Sequence, residues 1–330
     1  MGRCLTRHGS IGRRTVRPMT SDAATLAVNL GGLHMKNPVT VASGTFGYGQ
    51  EYGRYFDVAR LGAITTKSIS LKPRAGNKPP RLVETPAGLL NAIGLQNVGL
   101  ERFLSQKVPY LRQCKATIIA NIYGHSPEEY ATLARRLEAE GAADAIEANL
   151  SCPNVHDARS AQGAVLVSQD CQAITDYTRA IREATRLPLY IKLTPNVMNI
   201  QEPALAAESA GADGVCLINT LLGMAINPET RKPRLANIVG GLSGPAIRPV
   251  AVKMVWDAAR VLRIPIIGTG GITDAASAIE FLLAGATAIS VGSMSFRQPD
   301  AAQRVVNGIA EYLKRHQIAD VNQLIGAMKT

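Results

Sequence analysis

From residue 38 onward the apolar and polar positions repeat one unit: a short aliphatic run, a polar loop, a helical stretch and a small-residue turn. The turn returns as Leu61-Gly62-Ala63, Glu140-Gly141-Ala142, Ala210-Gly211-Ala212 and Ala284-Gly285-Ala286. Glycine suits the left-handed residue that ends a helix, and alanine lets the next strand pack closely. Helix starts are marked as well. Ser126-Pro127-Glu128-Glu129 offers a cap, a first-turn proline and an acid at the third helical position.

This pattern predicts eight strands, at 38–42, 63–66, 117–120, 145–148, 189–191, 214–217, 265–267 and 288–291. Helices are expected near 127–140, 168–186, 202–210, 245–261, 273–284 and 299–314. Strands that alternate with helices pair in parallel, and eight such units suggest closure. The predicted fold class is therefore α/β, a (β/α)8 TIM barrel with insertions after strands two and six, at 68–116 and 220–245. One domain over 20–330 is expected, preceded by a basic leader over 1–19.

Each apolar run stops at a polar residue or a glycine: Ser43, Lys67, Asn121, Asn149, Lys192, Asn219, Gly270 and Gly292. In a closed barrel the carboxyl ends of all strands meet on one face, where barrel enzymes keep their sites. Two lysines and three asparagines at one mouth predict a functional site there.

Composition narrows this picture. Apolar residues are 46 % of the chain and charged residues 18 %, a globular balance. The net charge of +11 raises the question of a nucleic-acid partner. Arg3, Arg7, Arg13, Arg14 and Arg17 all precede Met19 with no acid among them, and the rest is only mildly basic. An ordinary solvated surface is expected, with no nucleic-acid partner. The leader has transit-peptide features, but an upstream extension ahead of a start at Met19 is the simpler reading. The five cysteines have no C-x-x-C spacing, so neither a disulfide framework nor a metal or iron–sulfur site from this chain alone is expected. No apolar run is long enough to span a bilayer, and a cytoplasmic protein is expected.

Gly270-Gly271 and Gly292-Ser293 follow the last two strands, where barrels bind phosphate through backbone amides. They imply a phosphorylated ligand, either substrate or cofactor. Lys67 and Lys192 end apolar strands, and a buried ammonium needs an anionic or hydrogen-bonding partner. A flavin offers one, since reduction places negative charge on its pyrimidine edge. The structural alternative is a carboxylate partner for each, but the predicted strand ends include no acid. Cys114, Cys171 and Cys216 read as small core residues. Cys152 differs, lying in the polar stretch Asn149-Leu150-Ser151-Cys152-Pro153-Asn154 at the barrel mouth. A thiolate there can act as nucleophile or general base. His125 and His156 are the nearest histidines, and neither is an evident partner. That favours proton abstraction over a Cys–His hydrolase.

These residues carry a resemblance. From about Asn37 to Arg297 the chain resembles the class 1 dihydroorotate dehydrogenases. The matching stretches include Ala42-Ser43-Gly44-Thr45-Phe46-Gly47, Thr66-Lys67-Ser68, Asn91-Ala92-Ile93-Gly94-Leu95-Gln96-Asn97 and the segment Asn149 to Asn154. Ile218-Asn219-Thr220, Gly240-Gly241-Leu242-Ser243-Gly244-Pro245 and Gly268-Thr269-Gly270-Gly271-Ile272 complete the set. It is most similar to class 1B, the NAD-linked type.

The resemblance implies oxidation of dihydroorotate to orotate with FMN in pyrimidine biosynthesis. It implies that Ser43, Lys67, Ser68, Asn121, Asn149, Lys192, Ile218, Gly244, Gly270, Gly271, Gly292 and Ser293 hold FMN. Dihydroorotate would be held by Lys67, by Asn91, Ala92, Ile93, Gly94 and Leu95, and by Asn149, Asn219 and Thr220. Cys152 would remove the C5 proton while hydride leaves C6 for the flavin. No metal is implied. The implied partner is a subunit with FAD and a [2Fe–2S] cluster, bound to a homodimer in a heterotetramer. The leader has no counterpart in the family, and Tyr123 stands where a smaller residue is expected. Class 1A, with fumarate as oxidant, is the nearest alternative. A tRNA dihydrouridine synthase would need an RNA-binding domain, and a non-catalytic barrel would not need Cys152, Lys67 and Lys192 together.

Overall fold

Eight short runs of aliphatic and small residues form parallel strands: β1 (Val39–Val41), β2 (Ile64–Thr65), β3 (Ile118–Ile122), β4 (Ala145–Asn149), β5 (Leu189–Lys192), β6 (Gly214–Leu217), β7 (Ile266–Thr269) and β8 (Ala288–Val291). All are buried along their length, as parallel strands covered on both faces must be. The computed structural model describes residues 24–151 and 167–329. Neighbours follow chain order, β1–β8–β7–β6–β5–β4–β3–β2. The last seam, between β1 and β2, has no continuous ladder. It is closed by Gly62 N–H donating to Val39 O at 2.9 Å and by the Thr40 and Thr65 hydroxyls at 3.0 Å.

The outer ring consists of α1 (Val108–Gln113, continuing a π-helical turn at Phe103–Lys107), α2 (Pro127–Ala139), α3 (Cys171–Ala184), α4 (Gln201–Ser209), α5 (Arg248–Ala259), α6 (Ala275–Ala284) and α7 (Ala301–Arg315). Ser126 caps α2 by accepting from Glu129 N, as its position predicts. Asp274 and Ser277 form a reciprocal box at the start of α6, and Gly285 ends it with φ 117°. The six expected helices are all present. α1 is additional, lying inside the stretch read as an insertion.

Two further elements depart from the sequence reading. The insertions combine into one antiparallel sheet in the order Leu221–Met224, Val239–Ser243, Gly88–Asn91 and Leu82–Thr85. It stands beside the barrel mouth, joined through pairs such as Asn91 with Gly241. A hairpin of Val28–Leu30 and Leu33–Met35 precedes the barrel and turns at Gly31 and Gly32, both with positive φ. It covers the opposite end. Tyr190 lies two residues before Lys192, on the same face of β5, and donates its hydroxyl to Leu30 O at 2.6 Å. The barrel is thus plugged below and open above.

Candidate active site

A cavity of about 700 Å³ opens at the carboxyl ends of the strands. Its floor and walls come from residues at or just past the ends of β1, β2, β4, β5, β6, β7 and β8: Ser43, Lys67, Ser68, Asn149, Lys192, Ile218, Asn219, Gly270, Gly271, Gly292 and Ser293. The insertions add Asn91, Ile93, Gly94, Leu95, Thr220 and Gly244. Ala92 is fully buried and packs beside Leu90 and Leu235, away from the cavity. Asn121 is also fully buried and lies within β3 rather than past its end, one layer beneath the lining.

Along the floor and just beneath it the polar side chains form a continuous row. Asn149 Nδ2 donates to Ser68 Oγ at 3.4 Å, and Ser68 Oγ donates to Asn121 Oδ1 at 2.5 Å. Asn121 Nδ2 donates to Glu147 Oε1 at 2.5 Å. Lys192 Nζ lies 3.7 Å from the same carboxylate oxygen and donates to Ser43 Oγ at 3.3 Å. Every member is buried, so each hydrogen bond spares a desolvated group from going unpaired.

This row corrects one expectation. Lys192 does have a carboxylate partner, Glu147, which is 2 % exposed. The strand-end survey missed it because side chains alternate along a strand. Glu147 shares the inward face of β4 with Asn149, two residues earlier. The available signal was a lone acid within the apolar run Ala145-Ile146-Glu147-Ala148.

Lys67 stands on the other side of the cavity. Burial lowers its pKa from the ordinary lysine value; Arg81 adds to the effect and Glu51 opposes it. The ammonium is thus set to gain from an anionic ligand. Tyr52, on the same wall, is pushed up to about 12, by burial first and then by Glu51.

Three glycine-bearing loops meet opposite. Gly244, Gly270 and Gly271 have φ of 99°, 135° and 72°. A Cβ on Gly271 would lie 2.7 Å from Gly244 O, and one on Gly244 would lie 3.6 Å from Ser293 Oγ. Side chains are excluded where backbones come this close, and main-chain groups are left to face the cavity. A Cβ at Gly292 would meet only Ala42 at 3.6 Å, so the cradle has room. A phosphate suits such a set of small residues.

The Asn91–Leu95 loop is held from below. Asn77 Nδ2 donates to Ala92 O at 3.0 Å, Asn97 Nδ2 to Leu95 O at 2.9 Å, and Asn91 Nδ2 to Gly241 O at 3.2 Å. Asn219 Nδ2 donates to Ser151 Oγ at 2.8 Å, and Asn149 Oδ1 accepts from Ser151 Oγ at 3.2 Å. The chain is therefore anchored up to the residue before Cys152. Cys152 and His156 lie outside the described residues, as does the leader over 1–19. His125 does not line the cavity; its Nε2 bonds Arg74 Nη1 at 2.9 Å. Tyr123 packs edge-on against His125 and Tyr130. Cys216 is buried, whereas Cys114 and Cys171 are half-buried. Among the described residues no group of three or more His, Cys, Asp or Glu side chains could hold a metal.

Fold and site together define a (β/α)8-barrel enzyme with a cavity in its mouth, lined by two lysines and three glycine-bearing loops. The chain belongs to the dihydroorotate dehydrogenase family, which it matches over residues 25–313. It is 52 % identical over 304 residues to the catalytic subunit of dihydroorotate dehydrogenase B (NAD(+)) of Trichlorobacter lovleyi, covering 92 % of this chain and 98 % of that one. The protein of the same name from Desulforamulus reducens is 51 % identical over 303 residues, with the same coverage. The barrel also matches DHODH of Eimeria tenella, solved in complex with ferulenol. That match has a TM-score of 0.75 at 22 % identity, covering 92 % of this chain and 88 % of that one.

Proposed function

We propose that this chain is the catalytic subunit of an NAD-linked dihydroorotate dehydrogenase, oxidising dihydroorotate to orotate in pyrimidine biosynthesis. The observation that carries this reading is that Lys67, Lys192, Asn149 and the three glycine loops all open onto one and the same cavity. Its residues fit FMN. Gly244, Gly270, Gly271, Gly292 and Ser293 would take the phosphate, and Lys192, Asn149, Ser43 and Ser68 would take the polar edge of the ring. Asn121 supports them from beneath. When bound, FMN supplies the acceptor for a hydride.

The chain's own residues do the rest. Lys67 meets the substrate carboxylate, and Asn91, Asn219 and Thr220 offer donors and acceptors to the imide edge. Cys152 takes the C5 proton. The C6 hydrogen leaves with its electron pair, and the C5–C6 double bond of orotate forms. Electrons pass onward to NAD through a partner subunit with FAD and a [2Fe–2S] cluster, bound to a homodimer of this chain in the cytoplasm. No helix among the described residues is long and apolar enough to cross a membrane.

The purified protein should be yellow and release FMN on denaturation. Anaerobic dihydroorotate should bleach it, and Cys152→Ala should slow that bleaching by roughly 10²–10⁴-fold while leaving FMN bound. Cys171→Ala should change it little. A folded, colourless preparation unable to take up FMN would sink the cofactor assignment. Unchanged bleaching in Cys152→Ala would remove the role given to that thiol.

A further inference from the structure

Glu147 does not line the cavity, yet three polar groups of the neighbouring strands interact with its carboxylate. Asn121 Nδ2 is 2.5 Å away and Lys192 Nζ is 3.7 Å away. The third is the Cys216 thiol of β6, which pairs across the ladder with Lys192 and feels the charge of Glu147. Burial, reinforced by Glu147, pushes that thiol well above its usual value, so it stays neutral. Lys192 is therefore the one cation among the three.

We propose that Glu147 is the counter-ion that fixes the Lys192 ammonium in the cavity floor, and that it thereby sets how much positive charge the floor presents to a bound flavin. The proposal rests on the FMN reading above and assigns a positioning role to a residue that touches neither cofactor nor substrate. A buried ammonium with no anion is costly, and a buried carboxylate with no cation equally so. Paired, their fields largely cancel at a third group a few ångströms away. The floor then favours negative charge on the ring less than Lys192 alone would, because Coulomb interactions are strong in a poorly solvated site. The row of amides adds direction. Asn121 is engaged at both ends, by Ser68 and by Glu147, so the carboxylate also orients the amide beneath Ser68.

Glu147→Gln isolates the charge, since glutamine keeps an acceptor for Asn121 and nearly the same volume. The measurement is the flavin midpoint potential of the FMN-loaded full chain, by equilibration with a reference dye. Glu147→Gln should shift the equilibrium toward reduced flavin by tenfold or more, about 30 mV for a two-electron couple. Glu147→Asp, which keeps the charge, should recover most of the wild-type value. A flavin-loaded Glu147→Gln within twofold of wild type overturns this proposal alone. A wild-type chain that takes up no FMN overturns the cofactor reading and this proposal with it. A second readout needs no flavin. Lys192→Met leaves Glu147 without its cation and should lower the unfolding temperature, and adding Glu147→Gln should restore it. A double variant no more stable than Lys192→Met also overturns the counter-ion role.

Discussion

The side-chain amide of Asn97 donates to the backbone carbonyl of Leu95 at 2.9 Å, directly beneath the loop at the cavity's outer wall. Leu95 has φ 56°, which a branched side chain rarely adopts. Asn97 also donates to Ser70 Oγ at 2.8 Å and accepts from Gly99 N at 2.8 Å, and it is 6 % exposed. One buried side chain thus ties the loop to the segment after β2.

Asn97→Ala should therefore act twice. Leaving the Ser70 and Gly99 partners without their bonds should cost about 1–3 kcal/mol of stability, read by denaturant unfolding. Releasing Leu95 should weaken orotate binding, read from the flavin spectral shift. A lost anchor worth about 1.4 kcal/mol is a tenfold loss. Unchanged orotate affinity would show that the loop keeps its shape without Asn97.

Lys67 provides a pH test. Its pKa lies below the ordinary lysine value, chiefly through burial. The ammonium is present below that lowered value and lost as pH rises through it. An anionic ligand needs the charge, so orotate affinity should be flat near neutral pH. It should then fall on the alkaline side, sooner than an ordinary lysine would allow. Lys67→Arg stays charged throughout and should lose the alkaline fall, whatever its absolute affinity. The same shift destabilises the fold while both states are below their pKa values. That penalty fades as pH rises from the folded pKa to the unfolded one. An alkaline profile identical in wild type and Lys67→Arg would separate Lys67 from the carboxylate.

Much of this architecture is legible in the chain because the barrel repeats one local unit. The turns at Gly62, Gly141, Gly211 and Gly285 mark strand starts, and the polar ends of the runs mark the cavity. What escapes is non-local or inward. The sheet beside the mouth pairs Asn91 with Gly241, segments whose partnership no local period reveals. α1 continues a π-helical turn and carries Pro109 near its start, so its periodicity is blurred. The plug under the barrel rests on two three-residue strands and one tyrosine hydroxyl. Glu147 is hidden for another reason. A single acid in an apolar strand looks like an interruption until the neighbouring strands bring Asn121 and Lys192 to it.

The last prediction is that this chain carries out half of a longer electron path. The cysteines among the described residues are scattered: Cys114 past α1, Cys171 opening α3 and Cys216 inside β6. An iron–sulfur cluster needs four ligands together, and these three cannot meet. Nor does the chain place a Gly-x-Gly-x-x-Gly run between a strand and a helix, where a dinucleotide would sit. The relatives that cover nearly its whole length are named as catalytic subunits of NAD-linked enzymes. On the function proposed above, a flavin reduced in the barrel mouth would hand its electrons on through a partner subunit. The isolated chain should reduce artificial dyes or oxygen with dihydroorotate but not NAD. Adding the FAD and [2Fe–2S] subunit should restore NAD reduction and give a complex with two copies of each chain. Full-speed turnover with fumarate by the isolated chain would replace this reading with the fumarate-linked class. Reduction of NAD by the isolated chain would overturn both, because it requires a nicotinamide site within the barrel itself.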